Sequence, residues 1–170
     1  MSTLYLFVGA ILILACVSDL RTRRIPNVLT FSAIAGAVLY HGVIGGLNAA
    51  GWSLAGCLLG AVLFFPIFAL RGMGAGDVKL LAAVGAWLGP SQVAIVALAS
   101  SIAGGAIAIA VALGYGYLRT AVHNLWMLLM DWRVMGIRPL QEMTLEGTRG
   151  PRLAYAVPIS IGTVVTLWIK

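Results

Sequence analysis

The sequence predicts an all-α, polytopic membrane protein with six transmembrane helices, and three observations support this fold class. Hydrophobic residues make up 61% of the 170 residues and charged residues only 9%, which is too little polar surface to coat a water-soluble globule of this size. The apolar residues fall into six runs separated by short polar stretches. The Lys and Arg residues gather between alternate runs, as expected for loops on one side of a bilayer.

Each apolar run predicts one helix, because a helix satisfies its own backbone hydrogen bonds in lipid and crosses a bilayer with about 20 residues. The first run lacks the basic leading region and the cleavage site of a signal peptide, so we interpret it as a retained helix. The chain has no convincing internal repeat and is expected to form one domain, residues 1–170. The predicted spans are approximately 3–18, 27–44, 50–70, 78–89, 92–118 and 153–169.

The fourth run is too short to cross a bilayer unaided. Residues 78–89 would form a helix of about 18 Å, whereas the hydrocarbon layer is about 30 Å thick. We therefore expect either that the helix begins earlier, between Gly74 and Asp77, or that its polar entry lies in a wet cavity lined by protein. Both alternatives place Asp77 within or beside the inner leaflet.

The distribution of basic residues predicts the orientation. The connections near 41–50 and 89–92 carry no charge, and the terminal Lys170 is the exception to the pattern. The positive-inside rule therefore predicts that both termini lie outside and both candidate site segments lie on the cytoplasmic side. The net charge of +6 is then a topology signal, and no nucleic-acid partner is predicted. The basic residues on the inner side are Arg21, Arg23, Arg24, Arg71, Lys79, Arg119, Arg133, Arg138, Arg149 and Arg152.

Residues 119–152 predict a cytoplasmic interfacial segment. Its first part is typical of an amphipathic helix in the inner membrane interface, with aromatic side chains at headgroup level, and residues 138–152 are typical of a loop. The segment would either guide a substrate toward the site or serve as a plain connector. The apolar residues that indicate the helix are Leu125, Trp126, Leu128, Leu129 and Trp132.

Two short polar interruptions, residues 18–27 and 72–80, each carry an aspartate, Asp19 and Asp77. A carboxylate at the edge of hydrocarbon is costly, so a pair of them suggests chemistry. Each also has a simpler explanation, since Asp77 would cap the N-terminus of its helix and Asp19 would pair with the arginines that follow it. The alternate glycines that precede Asp77 predict flexible backbone with room for another chain to approach.

Together the two segments resemble those of the type IV prepilin peptidases, and more closely their short form in the tight-adherence (Flp) pilus systems. The spacing of the two motifs and the late stretch 155–159 also fit this family. The matching residues are Asp19, Arg24, Ile25, Pro26 and Asn27 in the first segment, and Gly74, Gly76, Asp77, Val78 and Lys79 in the second.

The resemblance implies an intramembrane aspartyl endopeptidase of the bacterial inner membrane, which removes the basic leader from prepilins or pseudopilins. The lipid bilayer would be its environment, and the pilus assembly machinery a further partner. Its catalytic pair maps onto Asp19 and Asp77, with one acid protonated and the other ionised. The residues expected to bind substrate or support the site are Arg24, Pro26, Asn27, Gly74, Gly76 and Lys79.

Larger members of this family also N-methylate the new amino terminus, and they typically carry an insert with paired Cys-x-x-Cys motifs between the first two spans. Here only about eight residues separate those predicted spans, and the sequence has no Cys-x-x-Cys. We therefore expect peptidase activity without methyl transfer, and no cofactor.

Other chemistries find little support. His41 and His123 form no His-x-x-x-His pair, Cys16 and Cys57 lie inside predicted spans, and no metal site is predicted. Arg24 and Lys79 would either position substrate or anchor helix ends by snorkelling. Two other functions stay open: a proton- or cation-coupled transporter in which the acids form a relay, and a non-enzymatic scaffold for pilus or secretion assembly.

Overall fold

The computed structural model describes residues 2–70, 72–135 and 154–169, and all regular structure in these residues is helical, which confirms the all-α class. Three helices are long and apolar enough to cross a membrane: Leu4–Thr22, Asn27–Ala69 and Pro90–Gly114. A shorter apolar helix, Ala156–Ile169, accompanies them. The helices are α1 (Ser2–Thr22), α2 (Asn27–Ala69), α3 (Ala75–Leu88), α4 (Pro90–Gly114), α5 (Leu118–Met135) and α6 (Ala156–Ile169).

The long helix α2 is a helical hairpin with two arms. Gly46 has a φ of 68° and a ψ of −167°, a backbone conformation that glycine adopts readily. A Cβ built on Gly42 would lie 3.7 Å from the Cβ of Ala50, whereas eight residues of straight helix would separate them by about 12 Å. The chain therefore reverses at Gly46, and its arms, α2a (27–45) and α2b (47–69), correspond to the second and third predicted spans.

Helix α3 forms the centre of the bundle, and residues 80–87 are all buried. It packs closely against α2b, because a Cβ on Gly56 would overlap the carbonyl of Gly85. Ser53 Oγ also donates a hydrogen bond of 2.7 Å to the carbonyl of Ala86. The helix begins at Ala75, three residues before the predicted span, and neighbouring helices surround it. Its short length is therefore compatible with a position inside the bundle.

Helices α1 and α3 run antiparallel. The rings of Phe7 and Trp87 stack with their centroids 5.4 Å apart. Phe7 precedes Asp19 by 12 residues and Trp87 follows Asp77 by ten, which correspond to about 18 Å and 15 Å of helix. The stacked pair thus places both aspartates at the same end of the bundle.

Helix α6 runs antiparallel to α4, with Gly162 opposite Ser100 and Gly104 opposite Tyr155. The apolar side chains of α5 that the structure describes, Trp126 among them, are largely exposed. Helix α5 occupies the first part of the predicted interfacial segment 119–152, whose remainder lies outside the described residues, as do Arg71 and Lys170. Six membrane crossings, the cytoplasmic position of the site and the interfacial position of α5 remain predictions.

Candidate active site

The first site segment is a tight turn between α1 and α2a. The hydroxyls of Ser18 and Thr22 donate hydrogen bonds of 2.9 Å and 3.2 Å to the carbonyl of Arg24. Arg23 has a φ of 54°, a left-handed conformation that is uncommon for a residue with a side chain. Pro26 follows with a φ of −61°, and α2a begins at Asn27. The turn therefore brings the end of α1, which carries Asp19, against the start of α2a.

The second segment approaches this turn at Gly76. A Cβ on Gly76 would lie 3.2 Å from the Cβ of Ile25, and a Cβ on Gly74 would lie 3.1 Å from Asp77 Oδ2. Neither glycine has a positive φ. The structure thus explains Gly76 by close approach between the two segments and Gly74 by its proximity to the Asp77 carboxylate, whereas the sequence had suggested flexible backbone with room for another chain.

The two segments line one cavity of about 450 Å³. All eight residues expected from the sequence to form the site contribute to its lining, together with three others from the same segments. Their juxtaposition is a finding, whereas their individual roles remain predictions. The lining residues are Asp19, Arg23, Arg24, Ile25, Pro26, Asn27, Gly74, Ala75, Gly76, Asp77 and Lys79.

Asp19 is held by the first turn of α6. Its side chain is only 7% exposed, and its Oδ2 accepts a hydrogen bond of 3.2 Å from the backbone N–H of Ala156. This N–H belongs to the first residue of α6 and has no acceptor within its own helix. A carboxylate at this position also benefits from the positive end of the helix dipole.

Asp77 is held by the backbone that starts its own helix. It lies in the first turn of α3, ahead of the apolar run 78–89, and its Oδ2 accepts a hydrogen bond of 3.2 Å from the N–H of Gly74. Only half of a capping box is present, because Gly74 has no side chain to return the bond. Asp77 therefore caps its helix, as the simpler explanation proposed, and also faces the cavity.

The environment of Asp77 favours its protonated form. Burial, and next the negative charge of Asp19, raise the pKa of Asp77 from 3.8 to about 7, while the hydrogen bond from Gly74 opposes this shift. The effect of Asp19 indicates that the two carboxyl groups interact electrostatically. An interacting pair with one proton is the arrangement needed for acid and base roles at neutral pH.

Lys79 joins the two segments directly. Its Nζ donates a hydrogen bond of 2.8 Å to Asn27 Oδ1 and lies 5.4 Å from the centroid of the Phe31 ring. Both partners belong to α2a, so Lys79 ties the start of α3 to the start of that arm. The sequence had suggested substrate positioning, site support or snorkelling for Lys79, but it had not identified Asn27 as its partner.

The contribution of α6 was also missed, because the donor to Asp19 is a backbone N–H, which has no signature in the sequence. Only the resemblance of residues 155–159 to a known family pointed to this region.

Within residues 2–70, 72–135 and 154–169, no group of three His, Cys, Asp or Glu residues could hold a metal ion. His41 lies at the opposite end of the bundle from the acids, with Nε2 3.1 Å from the carbonyl of Trp87.

Comparison with known proteins identifies a family for the part of the chain that carries both aspartates. Residues 6–109, which include both aspartates, match the type IV leader peptidase family. The prepilin leader peptidase/N-methyltransferase of Aeromonas hydrophila is 36% identical over 93 residues, which cover 51% of this chain and 32% of that protein. The protein of the same name from Burkholderia pseudomallei strain 1026b is 37% identical over 99 residues, or 52% of this chain and 31% of that protein. The match thus spans about a third of the length of these relatives. No protein of solved structure matches the chain significantly.

Proposed function

Because the chain belongs to the type IV leader peptidase family, we propose that it is an intramembrane aspartyl endopeptidase that cleaves the leader from type IV prepilins or pseudopilins of the Flp type. The observation that carries this proposal is the single cavity lined by Asp19 and Asp77, in which each carboxylate accepts a hydrogen bond from a backbone N–H. The proposed location is the bacterial inner membrane, with the cavity open to the cytoplasmic side and both termini outside.

The proposed reaction is hydrolysis by an activated water. The raised pKa of Asp77, about 7, makes it the proposed acid, which donates a hydrogen bond to the scissile carbonyl oxygen and later a proton to the departing amine. Asp19 is the proposed base, which takes a proton from the water as the water attacks the carbonyl carbon. This division of roles needs no covalent intermediate.

Co-expression with a candidate prepilin tests the proposal. Asp19→Asn and Asp77→Asn each preserve side-chain size but remove the acid–base group, so we expect near-complete loss of cleavage, measured by the mass of the prepilin. Asp131→Asn is the matched control, because Asp131 stands on α5 and belongs to neither of the two site segments. Wild-type turnover in either of the first two variants would refute an aspartyl mechanism. A protein that never cleaves prepilin but needs both acids for proton or cation flux would be a transporter, and one that needs neither acid would fit a scaffold.

The proposed enzyme does not transfer methyl groups. The link between α1 and α2 consists of residues 23–26 only, and the sequence has no Cys-x-x-Cys motif. The matched relatives are named as both peptidase and N-methyltransferase, so the two activities are to be measured separately. Purified protein supplied with prepilin and a methyl donor should release a mature pilin with an unmodified amino terminus. A methylated product would contradict this part of the proposal.

A further inference from the structure

We propose that the first turn of α6 is a fixed positioning element for Asp19, formed by the Ala156 N–H together with a hydrogen bond between Cys16 and Ser160. This inference rests on the proposed peptidase function. It adds a third segment to the site, distant in sequence from both aspartate motifs. The positioning residues are Cys16, Ala156 and Ser160, and none of them is proposed to contact the substrate.

The two contacts that define this element lie one helical turn apart. The Ala156 N–H donates to Asp19 Oδ2 at 3.2 Å, and Cys16 Sγ lies 3.0 Å from Ser160 Oγ. Cys16 precedes Asp19 by three residues and Ser160 follows Ala156 by four, so each pair occupies one face of its helix. The contacts therefore fix the rotation and the axial position of α1 relative to α6.

The direction of the Cys16–Ser160 hydrogen bond follows from its surroundings. Ser160 Oγ donates its single proton to the carbonyl of Ala156 at 2.8 Å. Its interaction with Cys16 must then use an oxygen lone pair, so the Cys16 thiol is the donor. The chain of hydrogen bonds leads from the thiol through Ser160 to the Ala156 peptide, next to the N–H that holds Asp19.

Helix α6 is itself firmly placed. A Cβ on Gly162 would overlap Ser100 Oγ, and a Cβ on Gly104 would lie 3.3 Å from the Tyr155 hydroxyl oxygen. These close approaches fix α6 on α4 near both contacts with α1. Much of the outward surface of α1 is exposed, including Leu6 at 73% and Ile13 at 65%. Among the described residues, the position of Asp19 therefore depends strongly on α6.

The closing experiment measures kcat and KM for prepilin cleavage in membranes. Ala156→Pro removes the N–H that Asp19 uses and adds ring carbons at a buried position, and proline is otherwise well tolerated at the first position of a helix. We expect kcat to fall about ten- to a hundredfold, with KM within about twofold, because a hydrogen bond to a charged group is lost. Ala156→Gly keeps the N–H and should restore most of the wild-type kcat.

A second pair of variants covers the case in which Ala156→Pro does not fold. Cys16→Ala removes the thiol donor and should lower kcat about three- to tenfold, whereas Cys16→Ser supplies a hydroxyl donor and should restore it. Ser101→Ala is the matched control, because Ser101 donates a similar hydrogen bond to the residue four positions earlier, Ala97, but its side chain is exposed on α4.

The outcomes separate this inference from the proposed function. If the wild-type protein cleaves prepilin but folded Ala156→Pro and Cys16→Ala retain the wild-type kcat, α6 does not position Asp19 and the inference is wrong. A rise in KM alone would also overturn it, because that result indicates substrate binding. If the wild-type protein itself cleaves no prepilin, the failure lies in the proposed function.

Discussion

The two halves of the bundle that carry the aspartates are held together in different ways. Asp77 stands on α3, which is buried by its neighbours and packed backbone to backbone against α2b through Gly56 and Gly85. Asp19 stands on α1, which buries one face with Val8, Leu12 and Ala15 and leaves much of its other surface exposed, and the Oδ2 of Asp19 accepts a hydrogen bond from an N–H of α6. Each acid accepts one backbone N–H bond, but close packing places the helix that carries Asp77, whereas hydrogen bonds to α6 have the larger part in placing the helix that carries Asp19. Substitutions that add volume should affect the first half, and substitutions that remove polar groups should affect the second.

The largest expected effect comes from adding a methyl group to the α2b–α3 interface. The new Cβ of Gly56→Ala would overlap the Gly85 carbonyl, so the helices must separate, and we expect a loss of about 3 kcal/mol or more in the free energy of unfolding. The same substitution in α1, Gly9→Ala, meets nothing within 4 Å and should be neutral, or stabilising by up to about 1 kcal/mol. Unfolding in mixed detergent micelles measures both variants. Equal losses would contradict the comparison.

The pH dependence of stability should depend on Asp77. Its folded-state pKa is raised from 3.8 to about 7, so between these values the folded protein keeps a proton that the unfolded chain releases. The contribution of Asp77 to the free energy of unfolding is therefore complete below about pH 4 and is lost as the pH rises to about 7. At about 1.4 kcal/mol per pKa unit, this contribution has an upper bound of about 4 kcal/mol.

Unfolding measured from pH 4 to 8 in wild type and Asp77→Asn isolates this contribution, because the variant lacks the titrating group. In Asp19→Asn the neighbouring negative charge is gone, so the pKa of Asp77 should be raised less. The free energy of unfolding should then stop falling at a lower pH than in wild type. Parallel stability curves for wild type and Asp77→Asn would show that Asp77 does not titrate in this range.

A smaller effect is expected where the two halves meet. The Cβ of Gly76→Ala would lie 3.2 Å from the Cβ of Ile25, and we expect a loss of about 1 to 3 kcal/mol in unfolding free energy as the segments shift apart. Shortening the opposing side chain by Ile25→Ala should relieve part of this loss, so the double variant should be more stable than the sum of the single effects predicts. Additive losses of unfolding free energy would indicate that the side chains at positions 76 and 25 do not crowd each other.

Most of the site was predictable from the sequence because its two segments are local. Asp19 and Asp77 interrupt long apolar runs, and the short run 78–89 already indicated a helix that either begins before Val78 or has its polar entry in a cavity lined by protein. The unpredicted features depend on how distant segments meet. The Ala156 N–H that holds Asp19 is a backbone group, and the bond from Lys79 to Asn27 joins residues 52 positions apart. The reversal at Gly46 was expected as a loop between two spans, and a single glycine with a positive φ accomplishes it.

The smallest expected effect concerns the bond between Lys79 and Asn27, which links α3 to the turn after α1. A double-mutant cycle with Lys79→Met and Asn27→Ala should give a coupling of about 0.5 to 1 kcal/mol, because the bond is exposed to solvent. If Lys79 only ties the segments together, prepilin KM should stay within about twofold in both variants, since the loss would fall on stability. A coupling near zero together with a large rise in KM for Lys79→Met would instead identify Lys79 as a substrate-binding cation. Phe31→Leu is the control for the ring contact, because it removes the aromatic face under Lys79 Nζ and leaves the amide acceptor of Asn27 in place.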